Sequence, residues 1–188
     1  MSSARVIVSF FLIIFFSISY GIQEYSLPEA MKVVEALEKI QNEQSAGNQT
    51  IFKKILITES ELNSYIAYRI EKENEEVMKV LRLKLFKGNK VEGMTLINLR
   101  GQKIPKFLRP EMTLFFRVRL EAKEGKVKFH VKDLFLEGQR IQPVVLDAIL
   151  MIAAKIDNTE FTSINDWYEL PYGIKNIETE RGKAVIYY

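Results

Sequence analysis

The sequence predicts an α+β fold in which long antiparallel strands are apolar on one face and two or three helices cover that face. Three observations carry this expectation. Between residues 77 and 136 apolar side chains alternate with polar ones, the period of half-buried strands. Residues 28–44 and 59–74 instead repeat apolar side chains every three or four positions, the period of helices, and Val144–Ile156 is a further helix apolar nearly all round. Turn-forming pairs, Gly88-Asn89, Glu124-Gly125 and Arg181-Gly182, separate strand-like runs by hairpin distances.

The first helix, 28–44, has Pro28 suited to its first turn and Ala30, Val33, Val34, Leu37 and Ile40 along one face. Ser45 to Thr50 is a polar break, and Ile51–Ile57 reads as a short strand. Thr58-Glu59-Ser60-Glu61 fits a capping box, in which Thr58 accepts from the Glu61 amide and the Glu61 carboxylate reaches back. The helix it opens carries Leu62, Ile66 and Ile70 as a stripe and should end near Asn74. Leu81, Leu83 and Leu85 alternate into the Gly88-Asn89 turn, and Val91–Leu99 returns as the partner strand. A proline-punctuated loop, Gly101–Pro110, follows. Leu114, Phe116, Val118, Leu120 and Ala122 then alternate with Arg117, Arg119, Glu121 and Lys123. Beyond Glu124-Gly125, Val127, Phe129 and Val131 keep that phase, but Leu134 and Leu136 shift it, so a bulge or bend is required near Asp133. The last helix, Val144–Ile156, is apolar nearly all round, with only Asp147 and Lys155 charged, and should be buried on more than one side. A hairpin, Ile174–Glu178 and Ala184–Tyr188, closes the chain.

The N-terminus carries an address. Arg5 precedes an apolar run from Val6 to Ile18, and Ser17 and Ser19 form a small-x-small cleavage pattern. Residues 1–19 therefore read as a signal peptide or, using 6–22, as an uncleaved anchor. The expected organisation is this leader, an amphipathic helix and linker over 20–50, and a single α+β domain over 51–188. The destination is periplasmic or secreted, with anchoring to the inner membrane as the alternative. Of 188 residues, 47% are hydrophobic and 27% charged, an ordinary globular mixture that buries roughly 70% of its unfolded surface.

Composition excludes much chemistry. Without cysteine there is no disulfide framework, thiolate zinc site, thiol nucleophile or lipobox. The single histidine, His130, lies between Lys128 and Lys132 on a polar strand face and reads as an exposed sheet residue rather than a metal ligand. No nucleophile elbow, phosphate-binding loop or dinucleotide fingerprint is present. No catalytic residue, metal or cofactor is expected, and the chain reads as a non-enzyme. The net charge of +3 is too mild to argue for nucleic acid. Arg82, Lys84, Arg117, Arg119, Lys123, Lys128 and Lys132 share the polar face of the strands. They either form a patch for an anionic membrane surface or are a solvated face that deters edge pairing. The loop Ile104-Pro105-Lys106-Phe107-Leu108-Arg109-Pro110 is either a membrane-touching rim or tucked onto the core.

Read together, three motifs in this order resemble those of the bacterial tubular lipid-binding (TULIP) superfamily, in particular the YceB-like, YpmS-like and LmeA-like envelope groups. They are Ile57-Thr58-Glu59-Ser60-Glu61-Leu62-Asn63-Ser64-Tyr65-Ile66, Gln142-Pro143-Val144-Val145-Leu146 and Leu170-Pro171-Tyr172-Gly173-Ile174. The resemblance spans about residues 50–188 and implies a strongly curved antiparallel meander wrapped around one or two long covering helices. It also implies an elongated apolar groove for acyl chains. Some members carry an N-terminal lipobox cysteine, which this chain lacks. The function expected is binding or transfer of lipids or other long apolar ligands in the cell envelope, with an envelope structural or adaptor protein as the alternative. The residues expected to line a groove are Leu62, Ile66 and Ile70 from one helix and Val145, Ile149 and Ile152 from the other. Leu81, Leu83, Leu85, Leu114, Phe116 and Val118 would join them from the strands. Periodicity alone leaves open whether these side chains enclose space or fill it.

Overall fold

The computed structural model describes residues 25–45, 53–156 and 158–188. The expected leader, and most of the polar break after the first helix, lie outside the described residues. Among the described residues three α-helices, α1 (Leu27–Ser45), α2 (Glu59–Lys72) and α3 (Pro143–Ile156), accompany nine strands. These are β1 (Lys54–Thr58), β2 (Met78–Phe86), β3 (Lys90–Asn98), β4 (Glu111–Lys123), β5 (Lys126–Leu136), β6 (Gln139–Arg140), β7 (Trp167–Glu169), β8 (Asn176–Glu180) and β9 (Lys183–Tyr187). The fold is α+β with antiparallel sheets. Among the described residues no helix is long and apolar enough to cross a membrane.

The expected meander forms the larger sheet, in the order β2-β3-β4-β5-β6, with β7 adding to β5. Its first turn uses the two residues free to take positive φ, Gly88 at 80° and Asn89 at 60°. The bulge required by the phase shift is present. Arg117 opposes Asp133 and Val118 opposes Val131, so Lys132 has no cross-strand partner and both apolar sets of β5 stay on the inner face. A second irregularity, at Lys79 between the Met78 and Val80 pairings, likewise keeps Met78 on the side of Leu81.

The terminal strands form a sheet of their own, apart from the meander. β1 runs against β9 from Lys54↔Tyr187 to Thr58↔Lys183, and β8 completes a separate three-stranded sheet in the order β1-β9-β8. Pairing between segments so distant in sequence leaves no local signal, because only tertiary contacts decide which edge a short apolar strand joins.

Helix α2 opens as its cap predicts. The Thr58 hydroxyl accepts from the Glu61 amide at 3.2 Å, and the Glu61 carboxylate accepts from the Thr58 amide at 2.9 Å. Its most buried residues are Ser64 and Ala67, not the leucine and isoleucine stripe. Small side chains let α1 approach closely, and the Glu29 carboxylate of α1 accepts from the Ser60 hydroxyl at 2.7 Å and the Ser64 hydroxyl at 3.1 Å. Val33 and Ile40 of α1 join Ile57, Ile174, Ile186 and Tyr188 in one cluster. The first helix is therefore part of the packed unit rather than a lead-in to it.

Strand β2 is the edge of the larger sheet. Its outward backbone groups are met by side chains of α2 and by the last hairpin. The Asn63 side chain donates to the Leu83 carbonyl and accepts from the Leu83 amide, both at 2.8 Å. The Glu59 carboxylate accepts from the Leu85 amide at 2.6 Å, and the Gly182 amide donates to the Leu85 carbonyl at 3.0 Å. The Thr179 hydroxyl donates to the Phe86 carbonyl at 2.7 Å.

Replacing Asn63 by Leu removes both bonds to Leu83 and should cost about 1–3 kcal/mol of stability in urea denaturation. A change below about 0.5 kcal/mol would mean that water serves Leu83 as well as the amide does. The Thr58 amide, and then Lys32 at 3.1 Å, hold the Glu61 carboxyl below its ordinary value of 4.5. A group with a lowered native value stabilises the fold above the unfolded value and loses that contribution as pH falls through the native one. Stability should therefore decline as the pH drops below about 4.5, and more gently in Glu61→Gln, as read from thermal midpoints across an acid series.

Candidate functional site

The apolar interior does not close into one body. One cluster lies under α3 and contains Leu99, Leu108, Met112, Leu146 and Ile149; a second joins α1 to the small sheet; a third holds Leu85, Val91, Val118 and Ala184. Between them lies a cavity of about 460 Å³. This is within the roughly 300–1,000 Å³ range of small-ligand sites. Of its 22 lining residues all but Thr95 and Thr179 are apolar, and among the described residues no ionisable side chain lines it.

Seven of the expected groove residues meet there. Leu81, Leu83 and Leu85 come from β2, Leu114, Phe116 and Val118 from β4, and Leu62 from α2. Five do not. Ile66 and Ile70 are half-buried on α2 away from the cavity, since α2 turns its small face to α1. On α3 the row facing the cavity is Leu146 and Leu150, one residue on from the expected Val145, Ile149 and Ile152. Those three pack instead into the cluster beneath α3, where Ile149 is only 3% exposed. Phe129, Val131 and Leu134 of β5 were within reach of the sequence, because the bulge brings them to the same face. Ile177, Ala184 and Ile186 were not, since they arrive with the separately paired last hairpin.

Helix α3 is buried or half-buried on more than one side and leaves a single stripe outside, where Val144 is 69% exposed and Met151 43%. Its lone carboxylate has a structural task. Asp147 accepts from the Ser163 hydroxyl and from the Ile164 amide, each at 2.9 Å, which fixes the following loop so that Ile164 faces the cavity. Tyr168 donates to the Ser163 carbonyl at 2.9 Å from the same loop. Burial, with Asp147 and Asp166 nearby, raises the Tyr168 hydroxyl above its ordinary value. The loop Ile104–Pro110 divides: Leu108 is buried and Ile104 packs beside it, while Phe107 remains 63% exposed.

The cavity owes part of its room to Gly93. Gly93 pairs with Phe116 across β3 and β4, and a Cβ at Gly93 would overlap the outer atoms of the Phe116 ring. The missing side chain lets the ring lie across the strand instead of standing in the interior.

Charges on the outer face form an alternating array rather than a uniform patch. Arg117 is held by Glu92 at 2.7 Å and by Asp133 at 3.0 Å, and Asp133 also binds Arg140 at 3.0 Å. His130 has a carboxylate partner after all, with its Nε2 2.6 Å from Glu121. Strand pairing brings Glu121 there, beside the cationic chain neighbours Lys128 and Lys132. Among the described residues no group of three or more potential metal ligands forms. A second hollow of about 400 Å³ between α1 and α2 is lined by Leu37, Tyr65, Tyr68, Arg69 and Lys72 among others. Its cations are engaged: Arg69 binds Glu73 and donates to the Tyr65 hydroxyl at 2.8 Å, and Lys72 stands 5.2 Å over the Tyr68 ring.

Compared with known protein families, curated proteins and solved structures, the chain matches none.

If the Phe116 ring is what a side chain at Gly93 must displace, Gly93→Ala should cost about 1–3 kcal/mol in an otherwise unchanged chain. In a Phe116→Leu background the cost should largely vanish. Equal costs in both backgrounds, measured as a double-mutant cycle by chemical denaturation, would show that the ring is not the obstacle.

Proposed function

We propose that the protein is a non-enzymatic binder or carrier of lipids or other long apolar ligands in the bacterial cell envelope, reached through its N-terminal leader as a periplasmic or secreted protein. The observation that carries this reading is the cavity of about 460 Å³, walled by apolar side chains from both sheets, α2 and α3. An apolar cavity of about 150 Å³ stays dry and accepts benzene, so three times that volume suits one chain of roughly 15 carbons. Burying about fifteen methylenes at roughly 0.8 kcal/mol each contributes about 12 kcal/mol. Lost freedom of motion opposes this by about 4–15 kcal/mol. Binding of a single chain is then weak and exchangeable, which suits a carrier. The same reading takes the meander as wrapping the helices in the TULIP manner. In its support, β2 to β5 line one side of the cavity while Leu62 of α2 and Leu146 and Leu150 of α3 line another.

Contact with an anionic membrane through Arg82, Lys84, Arg117, Arg119, Lys128 and Lys132 belongs to the proposal in reduced form, because Glu92, Glu121 and Asp133 stand among these cations. Their surplus of positive charge still favours a negative surface, and adding salt should weaken such contact.

Native mass spectrometry of the protein purified from cells should show a co-purifying lipid-sized mass. Leu81→Trp, on a half-buried strand position facing the cavity, should abolish that mass while leaving the thermal midpoint within a few degrees. A wild-type protein free of ligand and unresponsive to added lipid would rule out the carrier reading.

A further inference from the structure

The cavity has two threonines in its wall, and they differ in one respect. The Thr179 hydroxyl donates to the Phe86 carbonyl. The Thr95 hydroxyl has no hydrogen-bond partner, although Thr95 is only 6% exposed; it is the one buried side-chain polar atom without a partner among the described residues. Packing alone does not account for it. Valine has the same branched shape, suits a strand equally well and leaves no hydroxyl unpaired in an apolar interior. Because the hydroxyl gives up no bond in moving, it is free to turn about χ1 toward a partner in the cavity that Thr95 lines; a turn of about 120° that carries it into the place of the methyl group moves the methyl into that of the β-hydrogen.

Strand register fixes where this hydroxyl stands. Thr95 opposes Leu81 on β2 and Leu114 on β4. Leu114 is the first of the four β4 residues along the cavity, and Leu120 is the last. Leu114 packs in one cluster with Leu134 and with Leu146 and Leu150 of α3, whereas Val118, Leu120 and Phe129 pack with Ala184 of the last hairpin. The polar point therefore lies near the α3 end of an otherwise apolar chamber, not at its middle. No ionisable side chain lines the chamber among the described residues, so a charged head seated there would lose its hydration without compensation.

We propose that Thr95 reads the polar end of the ligand. On the reading of the cavity as a ligand site, the occupant is a neutral single-chain amphiphile. Its hydroxyl or ester carbonyl bonds to Thr95 at the α3 end, and its alkyl tail runs toward the last hairpin. A fatty acid anion and a plain alkane are the poorer ligands, the first for its charge and the second for leaving Thr95 unpaired.

The test is displacement of the neutral fluorophore N-phenylnaphthylamine by dodecane, dodecanol and dodecanoate at neutral pH, on the purified protein. Dodecanol should be the tightest competitor for the wild type. Thr95→Val should weaken dodecanol by about 5- to 50-fold while leaving dodecane unchanged. Thr95→Ser should restore the preference. The Val variant should be at least as stable as the wild type, since it removes an unpaired hydroxyl. Dodecanol binding unchanged in Thr95→Val, or a Val variant that is less stable, would overturn the role of Thr95 and leave the cavity reading intact. If no competitor displaces the fluorophore from the wild type, or the fluorophore itself does not bind, both readings fall together.

Discussion

The backbone of Leu83 is held by a side chain instead of a strand. Asn63, on the second turn of α2, offers its amide to both the N–H and the C=O of that residue and so imitates one rung of a ladder. An edge strand left bare is an invitation to pair with another molecule. Here the edge is occupied by single points: Asn63, Glu59, Thr179 and the Gly182 amide. Point contacts join the two sheets without zipping them into one. The separate inner faces can then stand apart, and the interior divides into three clusters with space between them.

That edge depends in turn on how α2 begins. Thr58 and Glu61 cap each other at the junction where β1 becomes α2, so the strand paired to β9 and the helix bonded to β2 are fixed relative to one another. Glu59 and Asn63, four residues apart, lie on one face of the helix and reach Leu85 and Leu83, two residues apart on the strand. The match between a helical spacing of four and a strand spacing of two is what allows a helix to run along a sheet edge.

Much of this was legible in the residues. The alternating leucines of β2, the Gly88-Asn89 turn, the phase shift demanding a bulge near Asp133 and the cap at Thr58 all rest on local rules, and each appears where the pattern put it. Three kinds of information were not local. The partner of β1 is the last strand, and no property of Lys54–Thr58 names it. The cavity-facing row of α3 was misplaced by one residue, because an all-apolar helix carries no periodic contrast, and the buried face of α2 was missed because Ser64 and Ala67 gain burial from α1 rather than from hydrophobicity. The partners of Asp147 and His130 became visible only once loops and strands had brought Ser163, Ile164 and Glu121 beside them. Of the site itself, the walls from β2 and β4 and Leu62 of α2 were readable, whereas the α3 row and the residues of the last hairpin were not. Strands declare their inner face by alternation, whereas these helices declare it by neighbours.

The gap between the three clusters has a volumetric consequence. A native state that contains empty space occupies more room than its atoms require, and unfolding in water eliminates part of that excess. Hydrostatic compression therefore acts against this fold more strongly than against a filled one of equal size, and an alkyl guest, by occupying the void, would act as a prop against the same force.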